Sequence, residues 1–201
     1  SFKFCENPKK LILGALISGA LAMGIPVVLD PVAAGGTTLR RQLSSKLLDE
    51  VHFSSIRGNA SEIRALAGKM SRGSGVDVTA WDAITRENLP QSVELISDLA
   101  RRTHAVIAVS GVIDVVSDAA QTLLLHNGCA TMARITGSGC MLTTLIGAFC
   151  AAVPEHPFEA TCAAMAAMGF CEDYVRLPLT TMEPENEAKM LELMREQGLN
   201  V

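Results

Sequence analysis

Apolar and polar positions follow one another in blocks along this chain of 201 residues, and the blocks predict alternating helices and strands. Residues 11–29 carry no charge, but Gly24 and Pro26 interrupt the run. The interruptions argue against a continuous membrane span of about 20 residues and favour a buried helix followed by a short strand. Because two lysines precede the run and it contains Ala20-Leu21-Ala22, with a small residue on either side of a leucine, a secretory signal peptide is the alternative.

Helical and extended patterns alternate after the loop that follows this strand. Residues 39–51 place several apolar side chains on roughly one helical face, residues 52–58 predict a strand, and residues 59–68 predict a helix that Gly68 closes. The apolar side chains assigned to the face of the first helix are Leu39, Leu47, Leu48 and Val51. The spacing therefore predicts a helix, a strand and a second helix in that order.

The remainder of the chain predicts one more helix, a cluster of strands and a helical end. Residues 81–104 are helical with a break at Pro90, and the chain after Cys140 is helical again. Between them lie four short runs rich in β-branched residues, at 105–111, 112–118, 122–128 and 131–137. This order predicts an α/β fold with a mostly parallel sheet and helices on both faces. No linker divides the chain, so we expect one domain over residues 1–201.

Composition and charge narrow the possible partners and the compartment. Apolar residues make up 49% and aromatic residues 4% of the chain, as expected for a core of aliphatic side chains on a buried sheet. The net charge of -4 has no long run of one sign, so neither nucleic acid nor a membrane is an expected partner. The six cysteines form no CxxC pair and have no histidine at ligand spacing, which predicts free thiols in a reducing cytoplasm.

The stretch TGSGC, residues 136–140, joins a glycine turn to a helix that should begin near Ser138 or Gly139. The first N–H groups of a helix have no intrahelical acceptor, so this helix start is a candidate anion site. Cys140 would lie at the positive end of the helix dipole, where a thiol can act as a nucleophile or a weak base. A plain glycine turn capped by Ser138, with a structural cysteine, is the alternative.

Charged and polar residues follow the first two predicted strands. Asp30 comes directly after the first strand, where ligands bind in open α/β sheets. Its carboxylate could hold magnesium or a water. The alternative is that Asp30 caps the turn that follows the strand. Arg57 lies at the end of the second strand and offers a forked donor to phosphate. Asn59 and Glu62 have the spacing of a capping box, which would explain both residues without any further function.

Four segments, taken in order, carry a resemblance to a known family: VVLDPVAAG, IRGNASEI, VIAVSGVIDVVSD and TGSGCMLTTLIGAFCA. They resemble the hydroxyethylthiazole kinase family, which is ribokinase-like and acts in thiamine salvage, and the resemblance runs from about Leu11 to Gly169. Its most specific elements are the run from Arg57 to Glu62 and Cys140, where most ribokinase-like kinases have aspartate. It implies ATP- and magnesium-dependent phosphorylation of the hydroxyl of 4-methyl-5-(2-hydroxyethyl)thiazole, by a cytoplasmic homotrimer with substrate sites between subunits.

The resemblance also implies a role for each matching residue. Cys140 takes the position of the catalytic base, and Gly137, Ser138 and Gly139 that of the backbone anion hole, with Gly137 also near the thiazole. ATP would contact Arg57, Asn59 and Ser110, the last standing where the family usually has threonine. Asp30 and Glu62 match the acidic positions that manage magnesium, partly through water.

Two regions depart from the family pattern, and other functions stay open. The N-terminal segment of the family, which holds the first strand and part of the thiazole pocket, has no counterpart in this chain, and the tail after about Tyr174 lacks a glycine-proline-glycine segment. The alternatives are a truncated or non-catalytic nucleotide-binding relative and another ribokinase-like vitamin kinase. Acyl transfer by Cys140 is a third alternative, which the lack of a neighbouring histidine in the sequence opposes.

Overall fold

Five strands form one sheet in the computed structural model, which describes residues 17–70, 83–126 and 137–167. The strands are β1 (Val28–Leu29), β2 (Ser55–Asn59), β3 (Val106–Ser110), β4 (Asp114–Ser117) and β5 (Thr122–Leu125). The helices are α1 (Thr38–Glu50), α2 (Ala60–Met70), α3 (Leu89–Thr103), α4 (Ser138–Ala152) and α5 (Pro157–Ala167). Residues 17–22 are also helical and precede β1, which confirms the predicted order of helix and strand from residue 17 onward. The predicted burial of this helix was wrong, because four of these six residues are exposed, among them Leu21 at 36%.

The sheet is mostly parallel, as predicted. Its strand order is β1-β2-β3-β4-β5, and the pairs β1–β2 and β2–β3 are parallel, whereas β3–β4 and β4–β5 are antiparallel. Of the described strands, β4 alone therefore runs against the others. The reversal follows from chain length, because residues 111–113 and 118–121 are too short for the crossover that a parallel pair requires.

Helices cover both faces of the sheet, which confirms the predicted layers. Side chains alternate along β3: Ile107 and Val109 belong to a core shared with α1, α2 and α3, whereas Val106 and Ala108 belong to a second core shared with α4 and α5. Each of these four side chains is at most 3% exposed. Fully burying an aliphatic side chain of this size stabilises the fold by about 1.5–3 kcal/mol, so the sheet is stabilised from both sides.

Two predicted helix boundaries were wrong. Residues 83–88 are not helical, and α3 begins at Leu89 with Pro90 in its first turn. Proline is tolerated there because its missing N–H has no intrahelical acceptor, so Pro90 lies in the first turn of this helix and does not break it. Gly68 does not close α2, which continues to Met70; a glycine on an exposed helix position costs only about 1 kcal/mol.

The predicted buried face of α1 was wrong at Leu39, which is 66% exposed. Leu47 and Val51 are buried, and Leu48 packs against the same core. At 3.6 residues per turn, Leu39 and Leu48 lie half a turn apart, so they cannot share one face. The core is contacted by the second half of the helix.

The last predicted strand, residues 131–137, lies outside the described residues except for Gly137, which is the N-cap of α4. None of the described helices combines the length and the apolar character needed to cross a lipid bilayer. Of the described cysteines, Cys140 is exposed and Cys150 and Cys162 are buried, all three as free thiols.

Candidate active site

Polar side chains from three neighbouring strand ends meet on the face of the sheet that α4 covers. The register places Leu29 beside Ile56 and Asn59 beside Ser110, so the carboxyl ends of β1, β2 and β3 form one edge. Side chains alternate between the two faces along a strand, so Asp30 lies on the same face as Val28, and Arg57 lies on the face opposite Ile56. Val28 packs against the core shared with α4 and α5, whereas Ile56 belongs to the core on the other face, so Asp30 and Arg57 both face α4 and α5. Asp30, Arg57 and Ser110 therefore converge below the start of α4.

The Arg57 guanidinium is the centre of this cluster. Its Nη2 donates a hydrogen bond to the Ser110 hydroxyl, and its Nη1 lies 3.6 Å from Asp30 Oδ2. The side chains of Arg57 and Asp30 are only 12% and 16% exposed, so water screens this ion pair less than a surface pair. The Arg57 Nε–H is buried and has no hydrogen-bond partner within the described ranges. The cluster thus contains a mostly buried guanidinium charge, whose Nε–H donor has no acceptor among the described residues.

Gly139 lies directly against this guanidinium. A Cβ atom at Gly139 would lie 2.6 Å from Arg57 Nη1 and 3.3 Å from Arg57 Cζ, closer than non-bonded atoms approach. Arg57 therefore occupies the space that any side chain at this position would need. This close approach gives Gly139 a physical reason to be glycine.

The N-terminus of α4 lies in the same region, because Gly139 in its first turn is in contact with Arg57. Gly137 is the N-cap with a φ of 93°, a left-handed conformation that glycine adopts at little cost. The first helical hydrogen bond runs from the Met141 N–H to the Gly137 carbonyl at 3.0 Å. The alternative of a turn capped by Ser138 was therefore wrong, and Cys140 lies exposed in the first turn.

Thr143 joins Asp30 to α4, a contact that the sequence alone did not suggest. The Thr143 hydroxyl lies 2.7 Å from Asp30 Oδ2 and 3.1 Å from the Gly139 carbonyl oxygen. No backbone N–H of the described residues donates to Asp30, so the alternative of a turn cap at Asp30 was wrong. The available signal was the spacing: Thr143 follows Gly139 by four residues and so lies on the same helix face.

Asn59 and Glu62 form the predicted capping box at the start of α2. The Glu62 N–H donates to Asn59 Oδ1 and the Asn59 N–H donates to Glu62 Oε2, each at 2.9 Å. The other carboxylate oxygen, Glu62 Oε1, accepts the Ala33 N–H at 2.8 Å. Glu62 therefore connects the start of α2 to the loop that follows Asp30.

Asp114 is a second residue near Arg57 that the sequence analysis missed. Its carboxylate accepts the Gly111 N–H at 2.8 Å, directly after Ser110. Burial raises the pKa of Asp114 to about 6, against the smaller lowering effects of the Gly111 hydrogen bond and the Arg57 charge. An aspartate three residues after a glycine in a hairpin is a turn signal that could have identified it. Across the described ranges, no three side chains among His, Cys, Asp and Glu cluster as a closed metal site.

The mostly parallel sheet, the helices on both faces and the polar cluster at the strand ends define a ribokinase-like α/β protein. A solved structure described as hydroxyethylthiazole kinase protein from Pyrococcus horikoshii OT3 matches with a TM-score of 0.62 and 33% sequence identity. The match covers 75% of this chain and 52% of that chain.

The chain belongs to the hydroxyethylthiazole kinase family, whose model matches residues 6–180. A hydroxyethylthiazole kinase from Clostridium acetobutylicum is 41% identical over 146 residues, which are 73% of this chain and 54% of that protein. A hydroxyethylthiazole kinase 2 from Clostridium botulinum is 40% identical over 158 residues, or 78% of this chain and 59% of that protein. The chain thus spans between half and two thirds of the length of these relatives, and the predicted resemblance is confirmed.

Proposed function

We propose that this protein transfers the γ-phosphoryl group of ATP to the hydroxyl of 4-methyl-5-(2-hydroxyethyl)thiazole. The observation that carries the proposal is the cluster of Asp30, Arg57 and Ser110 held against the start of α4, whose N-cap is Gly137. Phosphoryl transfer depends mainly on positioning and on stabilising the charge of the transferred group, and this cluster offers fixed donors at one place. Family membership supports the substrate.

The anion-binding part of the site would consist of backbone and guanidinium donors. Gly137, Ser138 and Gly139 supply the helix start, where N–H groups and the helix dipole favour a phosphate. Arg57 adds a permanent positive charge and a buried Nε–H without a partner among the described residues. A phosphate oxygen would offset the cost of that unpaired donor, which is about 1–3 kcal/mol. Ser110 orients the guanidinium.

Asn59 is the remaining residue assigned to ATP. Its side-chain oxygen Oδ1 accepts the Glu62 N–H and the Ser61 hydroxyl, which fixes the side chain at the helix start, so it would contact the nucleotide through its amide NH2 group. A rigid helix start holds a bound group with a smaller loss of conformational freedom than a mobile loop.

The residues present fit a magnesium ion. Magnesium prefers oxygen ligands, keeps several waters, and is usually held by one or two carboxylates together with substrate phosphates. Asp30 Oδ1 has no hydrogen-bond donor among the described residues, and Glu62 would act through water because both of its oxygens accept backbone N–H groups. Asp30 and Glu62 would hold the ion, which when bound neutralises charge on the phosphates.

Cys140 would act on the substrate alcohol. Its thiol is exposed in the first turn of α4, beside the donors that would hold the phosphate. In this position it orients the hydroxyl by a hydrogen bond and, as a thiolate, accepts the proton. A weak base suffices because the loose transition state of phosphoryl transfer needs little help in deprotonating the nucleophile.

We further propose that the protein acts as a homotrimer with substrate sites between subunits. Two exposed apolar side chains support an interface: Val32, two residues after Asp30, is 54% exposed, and Leu39, in the first turn of α1, is 66% exposed. The same turn of α1 contacts the Val32 loop, because Arg40 donates to the Val32 carbonyl at 3.0 Å. Light scattering of the purified protein should give three times the mass of the chain, and a monomer with full turnover would contradict the proposal. The cytoplasmic location stays a prediction.

The test of the kinase function is ADP release by the purified protein with magnesium and ATP, with and without the thiazole alcohol. We expect release that depends on the alcohol, because its hydroxyl is the acceptor. The matched control is 4,5-dimethylthiazole, which keeps the ring and lacks the hydroxyl. Binding of ATP with no alcohol-dependent release would contradict the kinase function and favour a nucleotide-binding relative.

A further inference from the structure

Thr143 makes a contact across the fold that capping and core packing leave unexplained. It lies on the second turn of α4, and its hydroxyl approaches Asp30 from a position 113 residues away in the sequence. The hydroxyl is part-buried and lies on the side of the helix that faces the strand ends. No other described side chain of α4 forms a hydrogen bond with Asp30.

The single hydroxyl proton of Thr143 has two possible acceptors. Asp30 Oδ2 lies at 2.7 Å and carries charge, whereas the Gly139 carbonyl lies at 3.1 Å and is neutral. Charge-assisted hydrogen bonds are shorter and roughly twice as strong as neutral ones, so the proton belongs to the bond with Asp30. Thr143 is therefore a donor to the carboxylate, and the Gly139 contact is subsidiary.

The consequence for Asp30 follows from how its two oxygens are used. Oδ2 has a short bond from Thr143 and a longer ion pair with Arg57 at 3.6 Å, while Oδ1 receives no donor from the described residues. Without the Thr143 hydroxyl, Arg57 would be the nearest described partner of Oδ2 and would draw the carboxylate towards the guanidinium. Thr143 thus keeps Asp30 and Arg57 apart as two separate groups.

We propose that Thr143 is a positioning residue, whose hydroxyl fixes Asp30 against α4 so that the carboxylate and the anion-binding helix start keep one geometry. The proposal rests on the proposed kinase function, in which Asp30 manages the magnesium ion. It assigns Thr143 no contact with the substrate. Its effect on the reaction passes through Asp30.

The test compares Thr143→Val, which keeps the shape and removes the hydroxyl, with Thr143→Ser, which keeps the hydroxyl. We expect Thr143→Val to lower kcat about 10–100-fold with little change in KM for the alcohol, since a misplacement of about 1 Å can cost about 100-fold. Its affinity for Mn²⁺ in the presence of ADP, measured by electron paramagnetic resonance, should fall about 10-fold, as on loss of other residues that orient a metal ligand. Thr143→Ser should retain both properties.

Thr144→Val is the matched control, because Thr144 is the neighbouring residue and donates to the Cys140 carbonyl at 2.9 Å without contacting Asp30. Its kcat and Mn²⁺ affinity should match those of the unchanged protein. Should Thr143→Val fail to fold by circular dichroism, Thr143→Ala provides a second variant without the hydroxyl.

Several results would overturn the proposal. One is unchanged kcat and Mn²⁺ affinity in folded Thr143→Val. Others are an equal loss in Thr143→Ser, which would assign the effect to packing, or in Thr144→Val, which would assign it to the helix in general. A protein without alcohol-dependent ADP release, but with Mn²⁺ affinity that depends on the Thr143 hydroxyl, would refute the kinase function and retain the positioning role.

Discussion

The contact between Gly139 and Arg57 predicts that Gly139→Ala impairs function more than folding. The added Cβ would lie 2.6 Å from Nη1 and 3.2 Å from Nη2. Favourable non-bonded contacts lie at about 3.5–4.0 Å, so the nearest nitrogen has to move away by about 1 Å. Because these atoms are the end of a flexible side chain, the backbone of α4 can stay in place while the guanidinium moves.

The size of the effect follows from the bonds that this movement breaks. The Arg57–Ser110 hydrogen bond involves a charged donor, and such bonds contribute about 1.5–3 kcal/mol to stability. Alanine in a helix is more stable than glycine by about 0.5–1 kcal/mol, so the free energy of unfolding should fall by only about 1–2 kcal/mol. A 1 Å displacement of a phosphate-binding group costs about 100-fold in rate, which corresponds to about 2.7 kcal/mol.

The assay measures kcat/KM for ATP at saturating thiazole alcohol, together with urea unfolding of the same preparation. Gly147→Ala is the control in the same helix, because the nearest atom to its added Cβ would be a Val28 methyl carbon at an ordinary 4.0 Å. The control should keep its activity and gain about 0.5–1 kcal/mol of stability. A folded Gly139→Ala protein with unchanged kcat/KM for ATP would refute the role of Gly139 in placing Arg57.

Three further predictions concern titratable groups. Asp114 binds its proton more tightly in the folded protein, where burial raises its pKa to about 6, than in the unfolded chain, where the ordinary pKa of an aspartate is 3.8. The free energy of unfolding should therefore fall by about 3 kcal/mol as pH rises from about 4 to above 6. Asp114→Asn keeps an acceptor for the Gly111 N–H and should remove that slope in urea titrations; an unaltered slope would exclude Asp114 as its source. Cys140→Ala should lower kcat and leave ATP binding nearly intact, and an unchanged rate would remove Cys140 from the chemistry. Iodoacetamide should modify exposed Cys140 well before Cys162, whose pKa burial raises to about 12, and equal rates by peptide mass spectrometry would contradict the described burial.

Local patterns were sufficient for the described strands and for the starts of every described helix except α3. The β-branched run that forms β3 and the capping box of Asn59 and Glu62 each lie within a few residues, and so does the glycine turn before α4. Propensity and capping act over that distance, so the α/β class and the order of the elements follow from the sequence. The errors arose at Leu39, Gly68 and Pro90, where the assignment depended on the exact face, end or turn of a helix.

For the site, too, local sequence identified individual residues, and the tertiary structure decided their contacts. The sequence by itself identified Asp30 and Arg57 as charged residues at strand ends, because a change from apolar to polar at the end of a strand is a local pattern, whereas Ser110 was assigned from the family resemblance. Which of them touch was decided by the tertiary structure, since Asp30 and Thr143 are 113 residues apart and Arg57 and Ser110 are 53 residues apart. The register of three parallel strands and the packing of α4 on one face of the sheet bring them together, and no short stretch of sequence encodes that register. The same packing presses Gly139 against Arg57, which is why the need for glycine there becomes visible only in the folded chain.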